Sequence, residues 1–463
     1  MLKAFWNVLK IKELRSRLLF TAGIIVLVRL ADNIPCPGVN SKALQSYLEA
    51  QTANAGETAG GIMSMLDIFS GGALQQFALG VLGIMPYITA SIIMQLLTPV
   101  VPSLEKIQRD GESGRAKISQ YTRYLTILVC IVQGVLAALA MVNPEKIFGG
   151  SPLSTPLFWG NPTVFVIMTV LVLTCTTMIF MWLGEQITER GIGNGVSIII
   201  TINIISKVPQ AVVQLCQMAM SQSTGASSFK PVHLLILLMV FAVVTAATIM
   251  LCQGVRRVPV QMARKSIGNQ VRGGATYLPL KVNFAGVMPI IFAGAIMMIP
   301  RPVFEYLSQH VSFGKNTWTA LASWFNYDAA GYTVTYGLLI MAFNFFWVAT
   351  QFNPLQISEN LKRESGYIPG IRPGQPTADF LDTTMTRVTF GGAFFLMLLA
   401  LFPMLLANSL NIPFLVASLF GGTSLLIMVG VTLDTMSQME SHLTMRNYDG
   451  FLRKGRLHGR SGF

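Results

Sequence analysis

The sequence predicts an all-α polytopic membrane protein whose ten transmembrane helices form two inverted, pseudo-symmetric halves of five, accompanied by one further short helix. Three observations lead to this prediction. Of the 463 residues, 52% are hydrophobic and 11% are charged, whereas soluble proteins carry about 25% charged residues. Apolar runs long enough to cross a bilayer recur ten times. A motif in the second run of the first half returns in the second run of the second half.

The ten predicted spans are separated by polar segments. They lie near residues 18–34, 75–99, 120–142, 160–183, 192–216, 231–252, 283–306, 332–353, 388–408 and 413–435. The cores of the second to tenth spans are expected to hold essentially no ionisable residue. Proton-coupled pumps usually place such a group inside the membrane, so this composition argues against that class.

The distribution of charge predicts the orientation of the chain. Residues 1–17 form a basic amphipathic helix, and no cleavable signal peptide is indicated. If the N-terminus is cytoplasmic, 26 of the 33 Lys and Arg residues fall in cytoplasmic segments, including the tail 436–463. This bias follows the positive-inside rule and predicts two cytoplasmic termini. Because topology alone explains most of the net charge of +13, a binding role has to be argued for each basic loop.

The second span is unusual because it is interrupted. The stretch Phe69–Val100 has no charged residue, yet it contains several residues that break or loosen a helix, namely Gly71, Gly72, Gly80, Gly83 and Pro86. The apolar piece before it, 61–69, would reach only roughly half of the hydrocarbon depth as a helix. A half-length helix in lipid leaves backbone groups unpaired, so it predicts a protein-lined or water-filled cavity. An interfacial re-entrant turn without function is the alternative.

An internal repeat divides the chain. The first half, 18–216, and the second half, 231–435, are joined by a connector at 217–230 that is rich in Ser, Gly and Thr. Gly-Ile-Met-Pro at 83–86 returns as Gly-Val-Met-Pro at 286–289. Because five is an odd number of spans, the second half enters the membrane in the opposite direction, which makes the repeat an inverted one.

Two large loops of the second half are predicted to be cytoplasmic. Loop 253–282 has six basic and no acidic residues, and its alternating segments flank a Gly-rich turn, which predicts a hairpin. Loop 354–387 contains YIPGIRPGQPT, a Pro- and Gly-rich turn expected to present Arg372 outward. Such loops suit RNA phosphate or an acidic protein face. A solvated surface next to the membrane is the alternative.

No signature of an enzyme is present in the sequence. It offers no embedded carboxylate pair, no Ser/His/Asp set and no phosphate-binding loop; the glycines at 191, 193 and 195 follow no strand. The five cysteines form no CxxC pair, and the four histidines have no metal spacing. The sequence therefore predicts no catalytic residues, no metal and no cofactor.

Six motifs in order point to a known family. They are FSGGALQQFALGVLGIMPYITASIIMQLL, GESGRAKISQYTRY, MWLGEQITERGIGNGVSIII, LPLKVNFAGVMPIIFA, YIPGIRPGQPT and FGGTSLLIMVGV. Over about residues 14–450 the chain resembles the SecY family, the channel subunits of the bacterial protein translocase. The resemblance implies a passive channel that passes signal-bearing unfolded polypeptides across the membrane and releases apolar segments sideways into lipid.

The resemblance also implies roles for individual residues. Residues 61–72 correspond to a plug, with Met65, Phe69, Gly71 and Gly72 in the plug and its hinge. The six pore-ring positions are Ile84, Ile88, Val196, Ile200, Ile291 and Ile427. The lateral-gate positions are Thr89, Gln95 and Asn283, and the docking positions for a motor or ribosome are Arg256, Arg257 and Arg372. The chain departs from the family in having Val196 where isoleucine is common, and Cys252-Gln253 where some relatives have Glu-Arg.

The implied partners are the small subunits SecE and SecG, the SecA motor ATPase, the ribosome, signal peptides, unfolded precursor proteins and membrane lipid. The implied location is the bacterial inner membrane. An inverted-repeat secondary transporter of a small solute is the alternative function, and it predicts a polar substrate site near the membrane midplane.

Overall fold

The computed structural model shows a mostly helical chain with one small sheet and one two-stranded ribbon. The described residues are 11–54, 67, 70–142, 144, 157–220, 231–262, 265–267, 270–272, 275–297, 300–310, 315–326, 329–410, 416 and 422–454. The chain divides into two units, one of Met1–Asn54, Met65–Val208 and Gly430–Phe463, the other of Ala55–Ser64 and Pro209–Val429.

The first unit is built from helices that precede the midpoint of the chain. They are α1 Lys12–Asn33, α2 Ser41–Asn54, α3 Ala73–Gln76, α4 Met85–Val100, α5 Pro102–Arg109, α6 Glu112–Val142, α7 Pro162–Arg190 and α8 Gly195–Met220. The segment between α3 and α4 is tied to the end of α1. Cys36 N–H donates to Phe77 O at 2.9 Å, and Leu79 N–H donates to Ile34 O at 2.9 Å. The non-helical backbone before α4 is therefore partly satisfied by protein.

Close packing of α6 against α7 depends on a stripe of small residues. Gly114, Thr122, Thr126, Cys130, Gly134 and Ala138 are all buried on α6 and mostly recur every fourth residue. Residues four apart lie on one helix face. At Gly134 an added Cβ would lie 3.6 Å from Val170 Cα of α7. In lipid the hydrophobic effect does not hold two helices together, so their association depends on close packing. Small side chains permit that close packing.

The second unit contains the remaining elements. They are α9 Pro231–Gln253, β1 Val255–Met262, β2 Lys265–Ile267, β3 Gln270–Arg272, β4 Ala275–Lys281, α10 Met288–Met297, α11 Pro300–His310, α12 Lys315–Trp324, α13 Ala330–Gln351, α14 Pro354–Arg363, β5 Gly366–Tyr367 and α15 Gln375–Leu410. The last helix, α16 Gly422–Lys454, and α8 both continue across the boundary between the units. The core of the second unit packs α9, α10, α13 and α15 around residues such as Ile290, Ile340 and Leu396.

The two large loops of the second unit form a single sheet, which we call the strand platform (β4-β1-β5). Strands β1 and β4 pair antiparallel, with Val258 opposite Leu278, so the predicted hairpin is confirmed. Strand β5 of the other loop joins the free edge of β1, where Gln261 lies opposite Tyr367. This second pairing was not predicted, because a two-residue strand carries no periodic signal. It places both loops on one surface.

The spanning helices expose apolar side chains, as a lipid-facing surface requires. Among the described residues, six helices are long and apolar enough to cross a membrane, and α4 with α5, bent by 101°, would make a seventh. Each remaining predicted span also contains a helix, namely α1, α10 and α16. Helix α9 illustrates the surface, because Leu238 is 65% exposed and Met250 is 74% exposed.

The two Gly-x-Met-Pro motifs have the same local structure. Gly83 has φ of +53° and Gly286 has φ of +63°, and a helix begins two residues later at Met85 and Met288. The proline stands at the start of each helix, where its missing N–H costs nothing. The repeated motif is therefore a repeated helix start.

The α6–α7 contact gives a stability prediction. We expect Gly134→Leu to lower the free energy of unfolding by about 1–3 kcal/mol, because the larger side chain must push α7 away. Gly134→Ala should stay within about 1 kcal/mol, since its Cβ would make ordinary contacts. Thermal denaturation midpoints of both variants in detergent check this. Equal midpoints for the two variants would contradict the close approach of the helices.

Candidate functional site

The first two predicted pore-ring residues lie where α4 begins. Ile84 caps the start of the helix and is 2% exposed. Ile88 follows one turn later, donates its backbone N–H to Ile84 O at 3.1 Å and is also buried. Because they are four residues apart, both side chains lie on one helix face. The interruption of the span therefore presents a pair of isoleucines.

The next two ring residues lie in the first turns of α8. Val196 is half-buried, and Ile200, one turn further on, is buried. The tight turn before α8 is closed by Thr188, whose hydroxyl accepts from Gly195 N–H at 2.9 Å. The glycine-rich turn thus serves as a compact link between α7 and α8.

The last two ring residues belong to the second unit. Ile291 is half-buried in α10, while its neighbours Ile290 and Phe292 are each 1% exposed. The side chain of Ile291 therefore faces away from the core that Ile290 helps to fill. Ile427 is 2% exposed in α16. The six residues thus lie at the start or in the first two turns of four helices, α4, α8, α10 and α16.

The predicted gate residues carry unsatisfied amide oxygens. Thr89 Oγ1 donates to Met85 O of its own helix at 3.0 Å. Gln95 Nε2 donates to Ser91 Oγ at 3.0 Å, but Gln95 Oε1 is buried without a partner among the described residues. Asn283 Oδ1 is likewise buried and unpartnered within that part of the chain. An unsatisfied buried acceptor is costly, so both amides are candidates for binding a polar group.

Of the predicted plug residues, the structure places only the hinge. Met65 and Phe69 lie outside the described residues. Gly71 has φ of +65° and is buried. Its carbonyl oxygen accepts from Arg29 Nη2 of α1 and from Ser206 Oγ of α8, each at 3.2 Å. The hinge is therefore held from two sides by polar side chains.

A buried ion pair lies beside the hinge. Lys207 Nζ of α8 donates to Asp67 Oδ2, and the two side chains are 4% and 9% exposed. Gln75 Nε2 of α3 donates to the same carboxylate oxygen at 3.0 Å. Lys207 also approaches Gly72, where an added Cβ would lie 3.1 Å from Nζ. The pair joins the described part of the plug to α8.

A second ion pair completes the group. Arg29 Nη1 contacts Asp32 Oδ2 at 3.1 Å and Asn203 Oδ1 at 3.4 Å. Asp32 is almost fully buried, with its side chain 1% exposed. We call this group the polar cluster: Arg29, Asp32, Asp67, Asn203, Ser206 and Lys207. Its two cations and two anions balance, as buried charge requires.

Two expectations from the sequence are wrong at the polar cluster. The expectation that the second to tenth spans lack ionisable groups is wrong at Lys207, which lies in the fifth predicted span and is 3% exposed. The short piece 61–69 is likewise not wholly apolar, since Asp67 is buried in it. The sequence did carry a signal for this pair, namely a single Lys in one apolar segment and a single Asp in another. Because each buried charge needs a partner, the two residues could have been predicted to pair.

Two of the predicted docking residues lie on β1 of the strand platform, and the third lies in the turn that follows β5. Arg256, Arg257 and Arg372 are all exposed. Successive residues of a strand point to opposite faces, and Val258 and Val260 are buried. Arg256 therefore lies on the same face of β1 as the buried Val258 and Val260, and Arg257 lies on the opposite face. The turn carrying Arg372 is fixed by Thr377 Oγ1, which donates to Arg372 O at 2.8 Å.

The described residues offer no metal cluster, and the thiol of Cys36 is buried. No group of three or more His, Cys, Asp or Glu residues among them could hold a metal ion. Cys36 follows α1 and is 2% exposed. Burial raises the pKa of its thiol to about 11, so it stays protonated near neutral pH.

These features define a class: a polytopic helical membrane protein with two interrupted helices, a polar hinge and an exposed basic platform. The sequence profile of the SecY family matches residues 78–436. The chain is 41% identical to the protein translocase subunit SecY of Chlamydia muridarum, over 98% of this chain and 99% of the relative. It is 42% identical to that of Streptomyces coelicolor, over 98% and 100%. The chain belongs to the SecY family.

Solved channel structures share the fold. One described as the structure of a protein conducting channel has a TM-score of 0.59 at 17% identity and covers 92% of this chain and 91% of its own. A second, concerned with the plug domain of SecY, has a TM-score of 0.56 at 18% identity, with coverage of 92% and 91%. Sec61 from a canine ribosome–channel complex has a TM-score of 0.56 at 17% identity, again with coverage of 92% and 91%.

Membership of this family sets the function. The protein is a protein-conducting channel subunit of the translocase and not an enzyme. The alternative, a secondary transporter of a small solute, is thereby set aside.

The hinge gives a second stability prediction. Gly71→Ala should lower the free energy of unfolding by about 1–3 kcal/mol, because φ of +65° disfavours a side chain. The new Cβ would also lie 2.5 Å from Arg29 Nη1. Gly23→Ala in α1, with nothing within 4 Å, is the matched control and should be neutral or slightly stabilising. A denaturation midpoint for Gly71→Ala at or above that of Gly23→Ala would contradict the account.

Proposed function

We propose that the channel is closed at rest by a ring of apolar side chains and by the plug segment 61–72, and that it opens when a signal-bearing polypeptide enters. The ring consists of Ile84, Ile88, Val196, Ile200, Ile291 and Ile427. The observation that supports this most is the repeated helix start, since α4 and α10 each begin at a break and each place isoleucine there. Interrupted helices in membranes occur where they line a cavity.

An apolar ring suits a channel for chains of varied sequence. Aliphatic side chains form no lasting polar contact with a passing polypeptide, and they exclude water and ions when nothing fills the opening. At Val196 the side chain is one methylene smaller than the isoleucine common in the family, so the seal is slightly looser at that point. The channel itself remains passive, and a partner supplies the energy.

The lateral gate would let apolar segments leave sideways into lipid. We place it between spans two and three of the first half and spans seven and eight of the second half, with Thr89, Gln95 and Asn283 among its polar residues. The buried, unpartnered oxygens of Gln95 and Asn283 support this assignment, because they can accept hydrogen bonds from an entering chain. A signal peptide's apolar helix is better solvated by lipid, whereas polar segments continue across.

The strand platform is the proposed docking surface for the SecA motor or the ribosome. Three exposed arginines on one rigid sheet and turn suit RNA phosphate or acidic side chains. A solved relative of the same fold, Sec61, is described in a ribosome–channel complex, which supports the ribosome as one partner.

The small subunits SecE and SecG would add further membrane helices. An apolar groove of about 450 Å³ in the first unit is lined by α1, the turn before α8, the start of α8 and α16. Three of its threonines, Thr21, Thr201 and Thr435, donate their hydroxyls to carbonyls of their own helices, so the groove presents methyl groups. It therefore suits an apolar helix of one small subunit.

The proposed orientation follows the charge bias. Both termini and both loops of the strand platform would lie in the cytoplasm, and the protein would reside in the bacterial inner membrane. The platform is then on the side where motors and ribosomes act.

Cross-linking tests the ring. Ile88→Cys and Ile291→Cys, each in a background without other cysteines, should form disulfides with a cysteine in a precursor stalled partway in vesicles. Ile290→Cys is the matched control and should not react, because Ile290 is 1% exposed within the core. The cross-links should vanish when the signal peptide is deleted. Absence of cross-links at 88 and 291, with efficient cross-linking at outer-loop sites, would reject the ring.

A charge reversal tests the platform. Arg372→Glu should lower motor-driven translocation by at least about tenfold, because a like charge replaces a strong contact. Arg363→Glu is the matched control in the same loop: Arg363 is exposed and 4.0 Å from Glu359, and its loss should have little effect. Translocation into vesicles with motor and ATP is the measurement. Equal losses in both variants would mean that only the net charge of the loop matters.

A further inference from the structure

Stability alone does not explain the ion pairs of the polar cluster, because buried ion pairs in general add little to it. Replacing a buried ion pair by apolar residues of similar size is often neutral or stabilising, whereas removing one partner is strongly destabilising. The first unit nevertheless holds one buried ion pair, Lys207–Asp67, and one half-buried pair, Arg29–Asp32. The arrangement of these charges indicates what they do.

The contacts of the cluster concentrate on the short piece 67–72. Lys207 binds the carboxylate of Asp67, and Ser206 and Arg29 both donate to the carbonyl of Gly71. Asn203 and Asp32 each contact Arg29 and so orient its guanidinium. Every member of the cluster therefore binds the plug hinge or positions a residue that does.

We propose that the polar cluster is a latch that holds the plug hinge against α1 and α8, and that Lys207 and Arg29 are its positioning residues. The proposal rests on the proposed function, in which segment 61–72 moves when the channel opens. Asp67 belongs to the moving segment, whereas Lys207 and Arg29 belong to long helices that stay. Opening must therefore separate Asp67 from Lys207 and free the Gly71 carbonyl.

The strength of the latch depends on whether water reaches it. In a dry site, separating two opposite charges is costly, because nothing replaces the partner. Once water reaches the site, both charges are hydrated and the attraction becomes weak. The latch is therefore firm while the channel is sealed and releases easily when a polypeptide lets water in. Such behaviour favours two distinct states, closed and open, over intermediate ones.

Ion leak through the resting channel tests the latch. The complete channel complex is reconstituted in liposomes with Lys207→Met or Asp67→Asn, and ion efflux is measured without precursor. Each variant should raise the resting leak by at least about tenfold, because the ion pair between the hinge segment and α8 is broken and the closed state loses its advantage. Both should also pass a precursor with a defective signal peptide. Exchanging the charges, Asp67→Lys with Lys207→Asp, should restore the seal to within about threefold of the natural protein.

A matched control separates the latch from general loosening. Arg123 Nη2 of α6 and Glu185 Oε2 of α7 form another ion pair, at 2.8 Å, away from the plug hinge. Glu185→Gln breaks that pair and should leave the leak unchanged. Ser206→Ala removes the hydroxyl that lies 3.2 Å from Gly71 O and 2.7 Å from Asn203 O, and it should raise the leak about threefold. Because this variant leaves no charge unpaired, it still tests the latch if the charged variants do not assemble.

The outcomes are distinct. A leak that stays at the natural level in Ser206→Ala and in correctly assembled Lys207→Met would overturn the latch, as would an equal rise in Glu185→Gln. Translocation of a signal-bearing precursor by the natural protein in the same liposomes tests the proposed function itself. If that fails, the proposed function fails; if only the variants behave like the natural protein, the latch alone fails.

Discussion

A backbone inside a membrane must find its hydrogen bonds within the protein, and this constraint governs the structure. Helices α4 and α10 begin after a break, so the residues before them cannot rely on helical bonds. In the first unit the break is covered because Phe77 and Leu79 bond to the end of α1, and Gly83 N–H donates to Gly80 O at 2.8 Å. The interrupted helix is possible only because neighbouring helices supply these partners.

Charged side chains inside the membrane must likewise find their partners within the protein. Burying Lys207 or Asp67 alone in the apolar first unit would be prohibitive, so the pair forms or neither residue is tolerated. Pairing ties a segment near the start of the chain to a helix 140 residues further on. An apolar contact has the opposite dependence, because separating apolar groups is costly mainly where water reaches them. An ionic contact resists mainly when dry, which makes it suited to a seal that must open when water enters.

The sequence predicted those features of the structure whose residues lie close together along the chain. The interruption of the second span and the hairpin of β1 and β4 follow from short patterns of Gly, Pro and alternating residues, and they were predicted. The repeated Gly-x-Met-Pro motif was recognised, but the helix starts at Met85 and Met288 were not predicted from it. The pairing of β1 with β5 and the ion pair of Lys207 with Asp67 join distant segments, and no window of sequence contains both partners. A single charge also barely changes the average hydropathy of a span, so Lys207 was assigned to the charges outside the membrane.

The docking surface and the latch belong to different units. The strand platform rests on the ends of α13 and α15, where Val348, Phe352 and Leu381 form its apolar support, so a partner bound there acts first on the second unit. The described members of the polar cluster all lie in the first unit. The residues proposed to dock a motor or ribosome are therefore not members of the proposed latch. We infer that the entering polypeptide and the water around it release the latch, which would couple opening to the presence of a substrate and not to docking alone.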